Sequence, residues 1–256
     1  MKTSSILIIC LSVQQLCSFS VSPQQTKVIA HKIWHNECNG SIQGLTTWNR
    51  GESCASLGIG HFIWYPKNRR GVFHETFPEL LTFLQEKGVA LPAWLAAETT
   101  CPWTSREEFY KEIQSKKMQE LRTLLAATTN EQALFMANRF KKILPSLVKE
   151  CSKADHAQIT TVFNKLACTP QGLYALIDYH NFKGAGTDPK ERYHNKGWGL
   201  KQVLLATKSS SPNITEAFSE AAKKTLAQRT RLAPKERNEK RWLPGWFNRI
   251  NSYKTR

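Results

Sequence analysis

One short segment with strand character constrains the fold of this chain more than any other feature. Residues 56–66 carry large apolar and aromatic side chains, with a glycine on either side of Ile59, and this composition is typical of β-structure. Pro66 ends the segment, and the Asn-Arg-Arg-Gly sequence at 68–71 predicts a turn. We therefore expect one small β-hairpin near residues 56–73.

Most of the remaining sequence predicts helices. After a short leader at 21–30, a first helix is expected over about 27–38, and a second over 77–88 with Pro78 in its first turn. Further helices are expected to begin near residues 105, 130, 155, 169, 200 and 215. Many helices with one small β-element predict an α+β domain.

The first twenty residues predict an export signal. Lys2 precedes an apolar run that starts at Ile6, and the small residues of 18–20 suit cleavage near Ser20. The run is too short to span a bilayer. We therefore expect an exported protein, periplasmic or secreted, with a single domain at 21–256. A lipidated Cys17 is the alternative.

The chain is strongly basic. Its formal charge is +16, and its isoelectric point is about 9.7. Residues 223–256 alone hold eleven Lys and Arg against two Glu, a local charge of +9. Such a field favours an anionic partner, either a cell-wall polymer or peripheral contact with a membrane surface. The export signal argues against nucleic acid.

Five cysteines follow the export signal, and an oxidising compartment permits disulfides between them. Cys38 with Cys54 would brace one loop, while buried free thiols are an equal alternative. His35, Cys38, Cys54 and His61 match no compact zinc spacing. No metal or other cofactor is predicted.

The run from Ser56 to His61 reads Ser-Leu-Gly-Ile-Gly-His, and it follows Glu37 near the end of the first predicted helix. This combination resembles phage-type lysozymes, in which a catalytic glutamate on the first helix precedes a Thr-Ile-Gly-Ile-Gly-His hairpin. The resemblance covers residues 31–66. It implies a lysozyme-like fold and cleavage of the glycan backbone of peptidoglycan.

Glycoside hydrolysis gives each candidate residue a role. Glu37 is the expected general acid, with apolar neighbours such as Trp34 raising its pKa. No aspartate lies between Glu37 and His61, so Glu52 is the candidate second carboxylate. Ser56 stands where the family has the threonine that positions water, and His61 is expected to contact the substrate.

A second resemblance lies downstream. Residues 197–203 read Gly-Trp-Gly-Leu-Lys-Gln-Val, similar to the Gly-Leu-Met-Gln segment that lines the glycan groove of goose-type lysozymes and lytic transglycosylases. It implies that Trp198 stacks on a sugar ring, that Gln202 hydrogen-bonds the glycan, and that Tyr193 lies beside them. Glu191 is the reserve candidate for the second carboxylate.

Several functions stay open at this point. The favoured one is a muramidase that hydrolyses the β-1,4 bond between N-acetylmuramic acid and N-acetylglucosamine. A lytic transglycosylase would cut the same bond with one glutamate, and a lysozyme-fold protein that binds the wall without turnover is the non-enzymatic alternative. Chitin and chitosan are further substrates to test. Cys54 with His61 would instead form a cysteine hydrolase dyad.

Overall fold

The structure is a computed structural model that describes residues 22–71, 73–149, 151–189 and 191–254. The predicted export signal lies outside the described residues. Within these ranges the chain is α+β, as expected, with mostly helical structure. The helices are α1 (Pro23–Cys38), α2 (Phe77–Glu86), α3 (Ala93–Ala97), α4 (Arg106–Lys111), α5 (Lys116–Ala127), α6 (Thr129–Lys141), α7 (Ile143–Val148), α8 (Lys153–Ala167), α9 (Pro170–Lys183), α10 (Leu200–Ala206), α11 (Ile214–Leu232) and α12 (Leu243–Asn251).

Local sequence explains where α1 begins and ends. Ser22 and Gln25 form a reciprocal capping box, since each side chain accepts a hydrogen bond from the other's backbone N–H. Pro23 occupies the first turn, where its missing N–H costs nothing. Asn39 ends the helix in the left-handed region. The first helix therefore begins at Pro23, ahead of the predicted start near residue 27, and takes in most of the segment expected to be a leader.

The strand-like segment folds as two strands rather than one. β2 (Ala55–Leu57) pairs antiparallel with β3 (Phe62–Trp64), and β1 (Thr46–Thr47) adds a third strand beside β2. The chain reverses between β2 and β3 at Gly58, whose φ of +70° suits a residue without a Cβ. The predicted hairpin exists, but it ends at residue 64 and belongs to a three-stranded sheet.

Two further features differ from the sequence prediction. The single helix expected to begin near residue 105 is instead two helices, α4 and α5, because Ser115 caps a new start by accepting a hydrogen bond from the N–H of Met118. A second hairpin, β4 (Arg192–Tyr193) with β5 (Lys196–Gly197), lies before α10, where the sequence analysis predicted no strand.

Helix α9 lies at the centre of the packing. Its residues from Gly172 to Tyr179 are all buried. A helix that is covered on every side has no need of a polar face, and this stretch is accordingly apolar on most of its surface. It packs against α1, α6, α8 and α11, while α12 packs on α11. This arrangement brings the end of α1, the middle of α9 and the C-terminal helix together. No helix among the described residues is long and apolar enough to cross a membrane.

Candidate active site

Glu37 lies in the last turn of α1 and lines a cleft of about 510 Å³. The cleft walls come from the end of α1, the loop at 49–52, strands β2 and β3 with the turn between them, residues 73–76, α6 and the end of α9. The Glu37 side chain is only 13% exposed. The carboxylate is therefore largely shielded from bulk water while it still faces the cleft.

A buried arginine from the far end of the chain holds Glu37. One Arg249 guanidinium NH₂ group donates to Glu37 Oε1 at 2.5 Å. The same group donates to Asp178 Oδ1 at 3.0 Å, while Arg249 Nε donates to Asp178 Oδ2 at 2.8 Å. Asp178 is fully buried and also accepts a hydrogen bond from Tyr253 Oη at 2.5 Å. Two carboxylates thus share one guanidinium.

This arrangement decides the charge of Glu37. Burial alone would raise the pKa of Glu37, but the attraction of Arg249 and His61, with hydrogen bonds from Arg249 and Asn181, outweighs burial and lowers the pKa. The expectation that apolar neighbours raise this pKa is therefore wrong. In the free protein Glu37 is a carboxylate at neutral pH.

Three of the other predicted site residues line the same cleft: Glu52, Ser56 and His61. His61 Nδ1 lies 3.5 Å from Glu37 Oε2, and His61 Nε2 is buried with no hydrogen-bond partner among the described residues. Asn49 donates to Glu52 Oε2 at 3.1 Å and steadies that carboxylate on its loop. Ser56 lies in β2 and is 2% exposed. The cleft therefore contains two carboxylates, a hydroxyl and an imidazole.

His180 also contributes an imidazole to the cleft wall, as do His61 and His74. Burial, together with the charge of Arg139, lowers the pKa of His180 to about 4. Its ring is neutral at physiological pH and offers hydrogen bonds rather than charge.

The three residues of the downstream motif do not reach this cleft. Trp198 is 8% exposed and packs between Tyr193, with ring centroids 4.7 Å apart, and the Arg229 guanidinium, 4.1 Å from its ring centroid. Gln202 donates to the Gly186 carbonyl and lines a separate depression. Tyr193 donates to Glu239 Oε1 at 2.9 Å. These contacts indicate a structural role.

Sequence reasoning missed the partners of Glu37. Neither Asp178 nor Asn181, both on α9, was a predicted site residue, and Arg249 entered only as one of the eleven cations of residues 223–256. Arg249 is 212 residues from Glu37 in sequence and only 10% exposed. A buried Arg–Asp pair leaves no local pattern, so only the packing of α12 reveals it.

The cysteines give no support to a thiol nucleophile. Burial raises the pKa of the Cys54 thiol to about 11, so the reactive thiolate is scarce at neutral pH. Cys38 and Cys54 are both buried free thiols, and the disulfide considered between them is absent from the described residues. Nor does any group of three or more His, Cys, Asp or Glu in the described ranges have the arrangement of a metal site.

The chain matches no protein-family profile, no curated protein and no solved structure. Any function therefore has to follow from the chemistry of the cleft itself.

Proposed function

We propose that this protein is an exported, lysozyme-like glycoside hydrolase that cleaves the β-1,4 bond between N-acetylmuramic acid and N-acetylglucosamine. One observation carries the proposal: the fold places Glu37, Glu52, Ser56 and His61 in a single open cleft. Hydrolysis of a glycosidic bond needs a proton donor and a second carboxylate or a held water. These side chains supply that set of groups.

Glu37 has to take up a proton before it acts as the general acid. Its lowered pKa opposes this in the free protein. However, Arg249 keeps a two-point contact with Asp178, so protonation of Glu37 leaves no buried guanidinium unpaired. A bound saccharide that displaces water also favours the neutral carboxyl. Cleavage should accordingly accelerate as pH falls below neutral, for as long as the protein stays folded.

Glu52 and Ser56 are the groups that complete the reaction. Glu52 is the second carboxylate, and the Ser56 hydroxyl holds the attacking water. If Glu52 takes no part, Glu37 alone protonates the leaving oxygen and the sugar closes a 1,6-anhydro ring, as in a lytic transglycosylase. That product has one water less than the hydrolysis product, so its mass identifies it.

The surface charge fits a wall polymer as the partner. Between α11 and α12 an exposed segment carries cations beside Trp242, which is 51% exposed. Its exposed cations are Lys235, Arg237, Lys240 and Arg241. Long-range attraction from such a segment would concentrate the enzyme on an anionic wall.

The test compares Glu37→Gln with a matched control. Glu239→Gln also replaces a buried glutamate that is held by an arginine, since Arg229 contacts both Glu239 oxygens, but this pair lies outside the cleft. Purified peptidoglycan is digested with wild type and both variants, and the fragments are measured by mass spectrometry and reducing-end release.

Glu37→Gln should lower the rate at least ~10²-fold, the usual contribution of a general acid. Glu239→Gln should cleave at close to the wild-type rate per folded molecule. A folded Glu37→Gln variant with near-normal cleavage would remove Glu37 from the mechanism. Wild type that binds walls but releases no fragments would instead establish the non-catalytic alternative.

A further inference from the structure

Gln132 is a fully buried polar side chain in α6 that uses its whole amide to join two distant parts of the fold. Its Oε1 accepts the backbone N–H of Ile59 at 2.9 Å. Its Nε2 donates to the Leu125 carbonyl at 2.7 Å and to Thr128 Oγ1 at 3.1 Å. Every bond is buried, so water cannot replace any of them if the side chain is removed.

The turn that Gln132 contacts has little freedom to move. Gly58 has φ of +70°, and a Cβ on it would lie 2.3 Å from Gln132 Oε1. On its other side the Gly58 N–H donates to the Leu45 carbonyl at 2.8 Å. A Cβ on Gly60 would lie 2.7 Å from the Phe62 ring. The turn is therefore held between Gln132 on one side and Leu45 and Phe62 on the other.

The same turn ends at His61. The His61 N–H closes it by donating to the Gly58 carbonyl at 3.3 Å, and His61 itself has φ of +48°. A non-glycine residue rarely adopts this conformation unless its surroundings hold it there. From this position His61 Nδ1 lies 3.5 Å from Glu37 Oε2.

We infer that Gln132 is a positioning residue: through the Ile59 N–H it fixes the Gly58–His61 turn and so sets the imidazole of His61 against Glu37. Gln132 does not line the cleft, so it would act on the reaction through His61 rather than by direct contact with a substrate. Its effect on geometry is independent of any activity, whereas its effect on catalysis rests on the proposed function.

The experiment removes the amide without removing its bulk. Gln132→Met has similar length but forms none of the three hydrogen bonds. Gln158→Met is the matched control, because Gln158 Nε2 donates to the carbonyls of Leu204 and Thr207, away from the cleft. In each background, NMR records how much the His61 ring resonances shift when Glu37→Gln is introduced. Wall cleavage is measured in parallel, with kcat and KM determined separately.

In wild type and in Gln158→Met, the Glu37 change should shift the His61 ring resonances strongly. In Gln132→Met the shift of the His61 ring resonances on changing Glu37 should be mostly lost. The kcat should fall by ~10-fold to ~10²-fold with a smaller change in KM, as for a misplacement of about 1 Å. Gln132→Glu should restore the contact only at acidic pH. A protonated carboxyl at this position can accept from the Ile59 N–H and donate to the Leu125 carbonyl, as the amide does. The shift of the His61 resonances should therefore return as pH falls.

An unchanged His61 response in Gln132→Met would overturn the inference, as would an equal loss in Gln158→Met, which would show general destabilisation. If Gln132→Met does not fold, Gln132→Glu is compared at acidic and neutral pH instead. A His61 resonance shift that is the same at both pH values would contradict a positioning role for Gln132. If wild type cleaves no wall, the proposed function fails while the NMR comparison still tests the positioning role.

Discussion

The buried ion pair of Arg249 with Asp178 and Glu37 predicts a large and pH-dependent loss of stability when the arginine is removed. Replacing Arg249 with Met leaves Asp178, which is fully buried, with Tyr253 as its remaining hydrogen-bond donor among the contacts described above. It also leaves Glu37 with Asn181 at 3.3 Å and His61 at 3.5 Å. Removing one partner of a buried pair typically costs ~3–5 kcal/mol, because the other charge stays buried without compensation.

The loss of unfolding free energy in Arg249→Met should depend on pH and should be larger at pH 7 than at pH 5. In wild type the pKa of Glu37 is lowered, so its contribution to stability is present above the unfolded pKa and is lost as pH falls through the folded pKa. In Arg249→Met only His61 and Asn181 still oppose the effect of burial, so the pKa of Glu37 should rise relative to wild type. Wild type and variant should therefore differ more in unfolding free energy at pH 7 than at pH 5.

Guanidinium denaturation at both pH values measures this. The double variant Arg249→Met with Asp178→Asn should be more stable than the sum of the two single changes predicts, by ~0.5–3 kcal/mol, since no charge is left at position 178. Arg241→Met is the control for an exposed arginine and should stay within about 0.5 kcal/mol of wild type. The reasoning is refuted if Arg249→Met costs no more than Arg241→Met, or if the two changes at 249 and 178 are additive.

Two further predictions concern groups outside the cleft. Trp198→Ala should lower the unfolding free energy by ~3–5 kcal/mol, as for other buried tryptophans, because Trp198 packs against Tyr193 and Arg229; an unchanged melting temperature with weakened wall binding would restore its predicted role as a sugar platform. Burial, with nearby Arg229 and Arg249, lowers the pKa of Lys183 from 10.5 to about 6, so its burial penalty grows as pH falls from 10.5 toward 6. The stability of Lys183→Met relative to wild type should accordingly rise between pH 9 and pH 6.5 in denaturant titrations, and a difference that is constant with pH would contradict the assignment.

Local sequence was enough to determine most of the helical outline. The starts of α9 and α11 follow from Thr169 and Asn213, whose side chains accept hydrogen bonds from backbone N–H groups three residues on. The same rule, applied to Ser22 and Gln25, gives the start of α1 that the hydrophobic pattern alone placed too late. Signals of this kind work because donor and acceptor lie within one turn of the chain.

The sequence also indicated the glycine-containing turn before His61, since a tight reversal needs residues that accept positive φ, and it made Glu37, which lines the cleft, the candidate acid. It did not determine what Glu37 would contact. Whether burial raised its pKa or a cation lowered it depended on Arg249, which α12 delivers from the far end of the chain. In the same way, Trp198 has the side chain of a sugar platform, and only the packing of Arg229 over its ring shows that it is buried. Backbone caps depend on neighbours in sequence, whereas burial and pKa depend on neighbours in space, and only the tertiary structure supplies those.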